Sequence, residues 1–248
     1  MIDWLRGSTR DPEVEIAGRK LPVAVRRHPT AKRLTMRLAP DGSEVRVTMP
    51  AWGRTREALE FARSRQDWLA GQLARVPQAL AIAPGSIVPW RGTDLTVDWQ
   101  ATAPRKAALH LGERLVLGGP HESIATRVRR WLENEALALL ADDLAFYCAR
   151  ADVSTPRLSL SRAQRRWGSC SGERPVEGAE RCIRINWRLV MAPDHVRRSV
   201  VAHEVAHLSH FNHSPQFHAQ LAAIFEGDVP AADRWLKQHG RQLYAAFG

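Results

Sequence analysis

Apolar and polar residues alternate cleanly at three places along the chain. Leu34, Met36 and Leu38 interleave with Arg33, Thr35 and Arg37. After Asp41-Gly42, a turn signal, Val45 and Val47 interleave with Arg46 and Thr48, and Pro50 ends the run. Period two on both sides of a tight turn predicts a β-hairpin. The third run spans Cys182 to Val190, with Ile183, Ile185, Trp187 and Leu189 on one face and Arg184, Asn186 and Arg188 on the other. It predicts one strand. Helical periodicity covers 55–76, where Leu59, Ala62, Trp68, Leu69 and Leu73 can share a face. It returns over 123–151, with Ser123 as N-cap and Ile124, Val128, Trp131, Leu132, Leu139, Leu140 and Leu144 as the buried stripe.

Between these helices, Ile87-Val88, Leu95–Val97, Leu109–Leu111 and Leu115–Leu117 are short apolar runs set among prolines and glycines, and predict short strands. Leu158 and Leu160 predict another, followed by a polar loop over 161–180. Pro193-Asp194 and Ser214-Pro215 are helix starts, and Trp235 falls on a last helix. The class is α+β. Three divisions are expected: a polar leader over 1–20, a strand-rich region with one helix over 21–120, and a helix-rich remainder over 121–248.

Composition narrows the class. The 248 residues are 44% hydrophobic, enough for a real core, and no apolar run approaches the ~20 residues of a membrane span. The first residues lack the apolar stretch of a secretory signal, so a cytoplasmic location is expected. Cys148, Cys170 and Cys182 are too few for a disulfide framework; a single Cys170–Cys182 bridge fits the count, and three small buried thiols are expected. Net charge is +10. Residues 1–120 carry most of the excess, which makes them the natural place for an acidic partner, although no nucleic-acid motif accompanies the charge.

Residues 203–213 read His-Glu-Val-Ala-His-Leu-Ser-His-Phe-Asn-His. On a helix, His203 and His207 lie one turn apart on one face and can grip a single metal ion. Val196, Val200, Val201, Val205 and Leu208 give the segment its helical apolar face. Glu204, beside the first ligand, can reach a water at the metal and act as general base. Three residues compete to be the third ligand. His210 lies on the same stripe, and three ligands in line would spread over about 10 Å of helix. His213 follows Asn212, which can adopt the left-handed conformation that stops a helix and turns the chain back. Glu226 could arrive from a later helix. The geometry ranks them His213, Glu226, His210, and makes His218 a packing residue of the next helix.

Arg166-Trp167-Gly168-Ser169-Cys170-Ser171, Ile185-Asn186-Trp187-Arg188-Leu189, His203–His207 and Asn212-His213-Ser214, in this order, resemble the YgjP-like metallopeptidase domain family, a branch of the zincins related to the SprT and WLM groups. The resemblance covers about 22–240 and is strongest from 162 onward. It implies an α+β zincin-like catalytic core with metal ligands at His203, His207 and His213, one zinc ion per chain, and catalytic Glu204. The chain departs from the family at His218, where tryptophan is common, and in a longer loop over 172–181.

Further roles follow from residue type. Gly168 allows a tight bend. Arg165 and Arg166 could stabilise an oxyanion or bind a substrate anion. Ser169 could donate to substrate. The 182–190 strand could be an edge to which an extended peptide adds, with Asn186 facing the cleft. The expected function is a zinc-dependent metallopeptidase acting on peptide or protein. A metal-dependent hydrolase of another substrate class, such as nucleotide phosphoanhydrides, and a non-enzymatic metal-stabilised binding module are the alternatives; Glu204 speaks against the second.

Overall fold

The computed structural model describes residues 12–39, 41–76, 81–106, 108–163, 166–171 and 181–247. The chain divides into two units, Met1–Gln78 with Gly248, and Ala79–Phe247. Among the described residues they hold six helices and three small mixed sheets, an α+β fold.

In the first unit the hairpin forms as its alternation predicts. Strands β3 (Thr35–Leu38) and β4 (Val45–Pro50) pair antiparallel, Leu38 opposite Val45 and Thr35 opposite Thr48. Strand β2 (Arg19–His28) runs parallel to β4, and β1 (Glu13–Ile16) closes the sheet in the order β1-β2-β4-β3. The polar leader expected over 1–20 is therefore strand from Glu13; Val14 and Ile16, alternating with Glu13 and Glu15, are buried. The sheet packs on helices α1 (Thr55–Arg63) and α2 (Gln66–Ala74) through Val45, Val47, Met49, Ala58, Ala62 and Leu69. One helix was expected over 55–76. It breaks at Ser64, whose hydroxyl donates to the carbonyl of Phe61 (2.9 Å), and the break leaves Trp68 46% exposed.

In the second unit, β5 (Ile87–Trp90), β6 (Thr93–Trp99), β7 (Leu109–Leu111) and β8 (Arg114–Leu117) form a sheet ordered β5-β6-β8-β7. Its inward residues Val88, Leu95, Val97, Leu115 and Leu117 join one core with helix α3 (Ile124–Arg150). The compact unit thus begins at Ala79, ahead of the boundary expected near Pro120. Helix α3 buries Ile124, Val128, Leu132, Leu140 and Leu144, as its periodicity predicts. Ser123 precedes it without capping; its hydroxyl donates to Pro120 O.

A three-stranded sheet follows, β9 (Arg157–Ser161), β10 (Gly168–Ser171) and β11 (Cys182–Asn186), in the order β10-β11-β9. Two expectations change here. The strand ends at Asn186, because its side chain accepts the N–H of Arg188 (3.2 Å) and turns the chain into a 3-10 segment, Trp187–Met191. It is also the central strand among the described residues, so the edges are β9 and β10, and β10 is the one that lines the cleft. The register, Cys170 opposite Ile183 and Ser171 opposite Cys182, sends the two thiols to opposite faces, and all three cysteines are free. Helices α4 (Asp194–Ala206), α5 (Pro215–Ile224) and α6 (Val229–Ala245) complete the unit. Among the described residues no helix is long and apolar enough to cross a membrane.

Candidate metal centre

Helix α4 starts after Pro193, with Asp194 in its first turn, where a carboxylate favours the positive end of the helix dipole. Val196, Val200, Val201 and Val205 turn into the core. The period that buries the valines leaves His203 and His207 on the half-exposed side, one turn apart. The helix closes at Ala206, with His207 as its C-cap. Asn212 does not take the left-handed conformation expected of it; the only non-glycine residues with positive φ among those described are Ala17, Arg91 and Asp152. The chain instead leaves the helix through a bend, where Arg181 donates to the carbonyl of Leu208 (3.0 Å). It re-enters helix at α5, where the Ser214 hydroxyl accepts the N–H of Phe217 (3.3 Å). His213 is the residue just before that cap.

The bend brings three imidazoles together. Nitrogens of His203, His207 and His213 lie within 4.8 Å of one another. His203 Nε2 and His213 Nε2 are 3.1 Å apart. Two ligands at ~2.0–2.1 Å from one tetrahedral ion would sit about 3.3 Å apart. The donor set therefore fits a divalent transition ion. His207 Nδ1–H donates to the carbonyl of His210 (3.0 Å), which fixes the tautomer and leaves Nε2 free as a ligand. Burial, with His207 and His213 adding to it, pushes His203 down to about 4, so its ring is neutral at pH 7, as a ligand must be. The buried ring of Phe217 lies under all three imidazoles, its centroid 4.9, 4.6 and 4.8 Å from those of His203, His207 and His213.

Glu204 lines the same cleft, a space of about 500 Å³ bounded also by Arg166, Gly168–Ser171, Phe211 and the three histidines. It is buried, and burial raises its carboxyl to about 7 against the opposing pull of the Cys170 N–H and the Arg166 guanidinium. The reason for a glycine at 168 lies here. A Cβ at that position would be 2.6 Å from Glu204 Cγ. Gly168 is extended strand, not the tight bend expected; it makes room for the carboxylate.

The YgjP-like, metallopeptidase domain profile matches residues 32–239. The chain belongs to the YgjP-like metallopeptidase domain family. A metal and hydrolase chemistry follow from that membership. No curated protein and no solved structure matches the chain.

The other residues of this YgjP-like site separate by position. Glu226, the rival ligand, lies elsewhere: it accepts from Tyr147 Oη (2.9 Å) and from Arg198 Nη2 (2.7 Å) on the side of α4 away from the histidines. His210 contributes its carbonyl, not its ring. His218 is exposed, its ring 6.4 Å from that of His213. Arg166 and Ser169 line the cleft. Arg165 lies outside the described residues, as does the 172–180 part of the long loop. Asn186 does not face the cleft. It is fully buried, donating to Ala163 O (2.8 Å) and accepting from Arg188 N, so it fastens the strand end. Trp167 stacks on Tyr244 of α6 (4.6 Å, 25°), and a Cβ at Gly240 would lie 2.9 Å from its ring. Sequence reasoning passed over three contributors: Phe217 as a floor, Phe211 as an apolar wall, and Trp167 as the anchor of β10. Only the Phe217 position carried a signal, its place one turn after His213 on a capped helix.

Proposed function

We propose that the chain is a zinc-dependent peptidase in which His203, His207 and His213 hold the ion and Glu204 is the general base. The observation that carries this reading is the convergence of three imidazoles, two with Nε2 atoms 3.1 Å apart, in one cleft with a buried carboxylate. Zinc held there supplies Lewis acidity, acidifying water and polarising the scissile carbonyl.

The remaining work falls to the chain's own residues. Glu204 takes a proton from the attacking water and returns it to the leaving nitrogen. Gly168 gives its carboxylate space, and the Cys170 N–H orients it. Strand β10, rather than β11, offers the edge along which an extended peptide lies, since β11 is paired on both sides. Ser169 on that edge and Arg166 just ahead of it bind the substrate backbone or a substrate anion. Phe211 covers apolar side chains.

Elemental analysis of the purified protein should find about one zinc per chain. A peptide library and a nucleotide panel, assayed side by side, should then show turnover only of peptides. Phosphate release from nucleotides with no peptide cleavage would favour phosphoanhydride hydrolysis; zinc with neither activity would favour a binding module.

A further inference from the structure

We propose that one end of the first unit's sheet is a docking surface for single-stranded nucleic acid, with Trp52 as the stacking platform. The topology brings its parts together. Strands β2 and β4 run parallel, with Arg26 opposite Thr48 and His28 opposite Pro50. Strand β3 starts antiparallel to β4 at Thr35, also opposite Thr48. The 29–34 connection and the turn after Pro50 therefore leave the sheet at the same end.

Among the described residues, the two connections at that end carry one sign of charge. Residues 26–35 and 48–56 contain Arg26, Arg27, Lys32, Arg33, Arg54 and Arg56 and no aspartate or glutamate. All six are exposed. Of the described acids just beyond these residues, Glu57 accepts the backbone N–H of Arg54 (3.1 Å), and Glu60 pairs with Arg56 (2.8 Å). Arg56 is thus paired and Arg27 is tied to the turn described next, which leaves Arg26, Lys32, Arg33 and Arg54 as exposed cations for a ligand. Asp41 and Glu44 lie at the opposite end, on the hairpin turn between β3 and β4.

In their midst stands Trp52, at 79% the most exposed large hydrophobic residue described. Its turn is built to hold it out. Gly53 N–H donates to Pro50 O (3.1 Å), and Gly53 is itself buried. Arg27 Nε donates to Gly53 O (3.3 Å) and Arg27 Nη2 to Thr55 Oγ1 (3.0 Å). An exposed indole on a hydrogen-bonded turn, with exposed cations at the same end of the sheet, matches a polyphosphate chain with splayed, stackable bases. An acidic protein would use the charge but not the ring. A duplex would keep its bases stacked on each other, out of the ring's reach.

The test uses the full-length, zinc-loaded protein and a fluorescein-labelled single-stranded 12-mer, followed by anisotropy and by quenching of tryptophan fluorescence at several salt concentrations. Binding should weaken with salt. Trp52→Ala should weaken it roughly 5- to 150-fold, the loss expected for one stacked base. Trp52→Phe should restore most of it. Lys32→Glu with Arg33→Glu should weaken binding and lower the salt slope by about 0.7 for each phosphate that is no longer neutralised. Circular dichroism confirms that each variant is folded. Unchanged affinity of folded Trp52→Ala overturns the proposal. So does binding to the duplex, to polyglutamate or to anionic lipid vesicles as tight as to the single strand.

Discussion

Gly168 and Glu204 are matched in shape across strand β10 and helix α4: the hydrogen of the glycine faces the methylene of the glutamate, where a Cβ would come within 2.6 Å. The relationship explains why a strand with polar flanks carries a glycine with ordinary extended φ. Gly168→Ala should leave the three histidines in place and push the carboxylate aside. Overpacking of this kind costs about 1–3 kcal/mol of stability, and a displacement near 1 Å at a catalytic group costs about 10²-fold in rate. Zinc content should stay near one per chain while kcat falls about 100-fold. Full activity in the variant would mean that Glu204 has no fixed seat.

Asn186 separates a structural from a substrate-binding role. Its amide is buried and bonded on both sides, to Ala163 O and Arg188 N. Asn186→Ala leaves Arg188 N–H without that acceptor and Ala163 O with only the longer bond from Tyr244 Oη (3.4 Å), at about 1–3 kcal/mol. The urea midpoint should drop and KM should not change. A raised KM at unchanged stability would return Asn186 to the cleft.

Asp194 ties the start of α4 to two arginines, Arg91 (3.0 Å) and the buried Arg197. Burial raises its carboxyl, but the Arg91 hydrogen bonds and the charge of Arg197 outweigh burial and hold it below its ordinary value of 3.8. A depressed folded pKa stabilises the fold above the unfolded pKa, and that contribution is lost as pH falls through the folded value. Asp194→Asn should therefore be less stable than the parent at pH 7, by about 1–3 kcal/mol for charged hydrogen bonds. The gap should narrow as pH falls below about 4. Urea titrations at pH 7, 5, 4 and 3 measure it. A gap independent of pH would show that charge is not its source.

Much of the fold was legible because its signals are local. Val45 and Val47 alternate around a turn, and the stripe of α3 repeats with helical period, so both elements could be read from the chain. The triad was legible for the same reason: the four-residue spacing of His203 and His207 and the capped start at Ser214 are short-range features. The misreadings share a cause too. The alternation from Ile183 to Leu189 continues in the sequence past Asn186, but a side-chain hydrogen bond ends the strand there. Ser64 breaks a helix whose periodicity runs on unbroken. The middle place of β11, the room that Gly168 leaves for Glu204, and the attachment of Glu226 to Arg198 all depend on residues far apart in the chain. No local pattern encodes them.

Glu204→Gln tests the central claim most directly, because it keeps the shape of the side chain and removes only its ability to carry a proton. Zinc content and cleavage of the best peptide substrate are measured on the same preparation. One zinc per chain with cleavage reduced at least about 100-fold, the scale of a lost general base, is the predicted result. One zinc per chain with cleavage at the parental rate would contradict it.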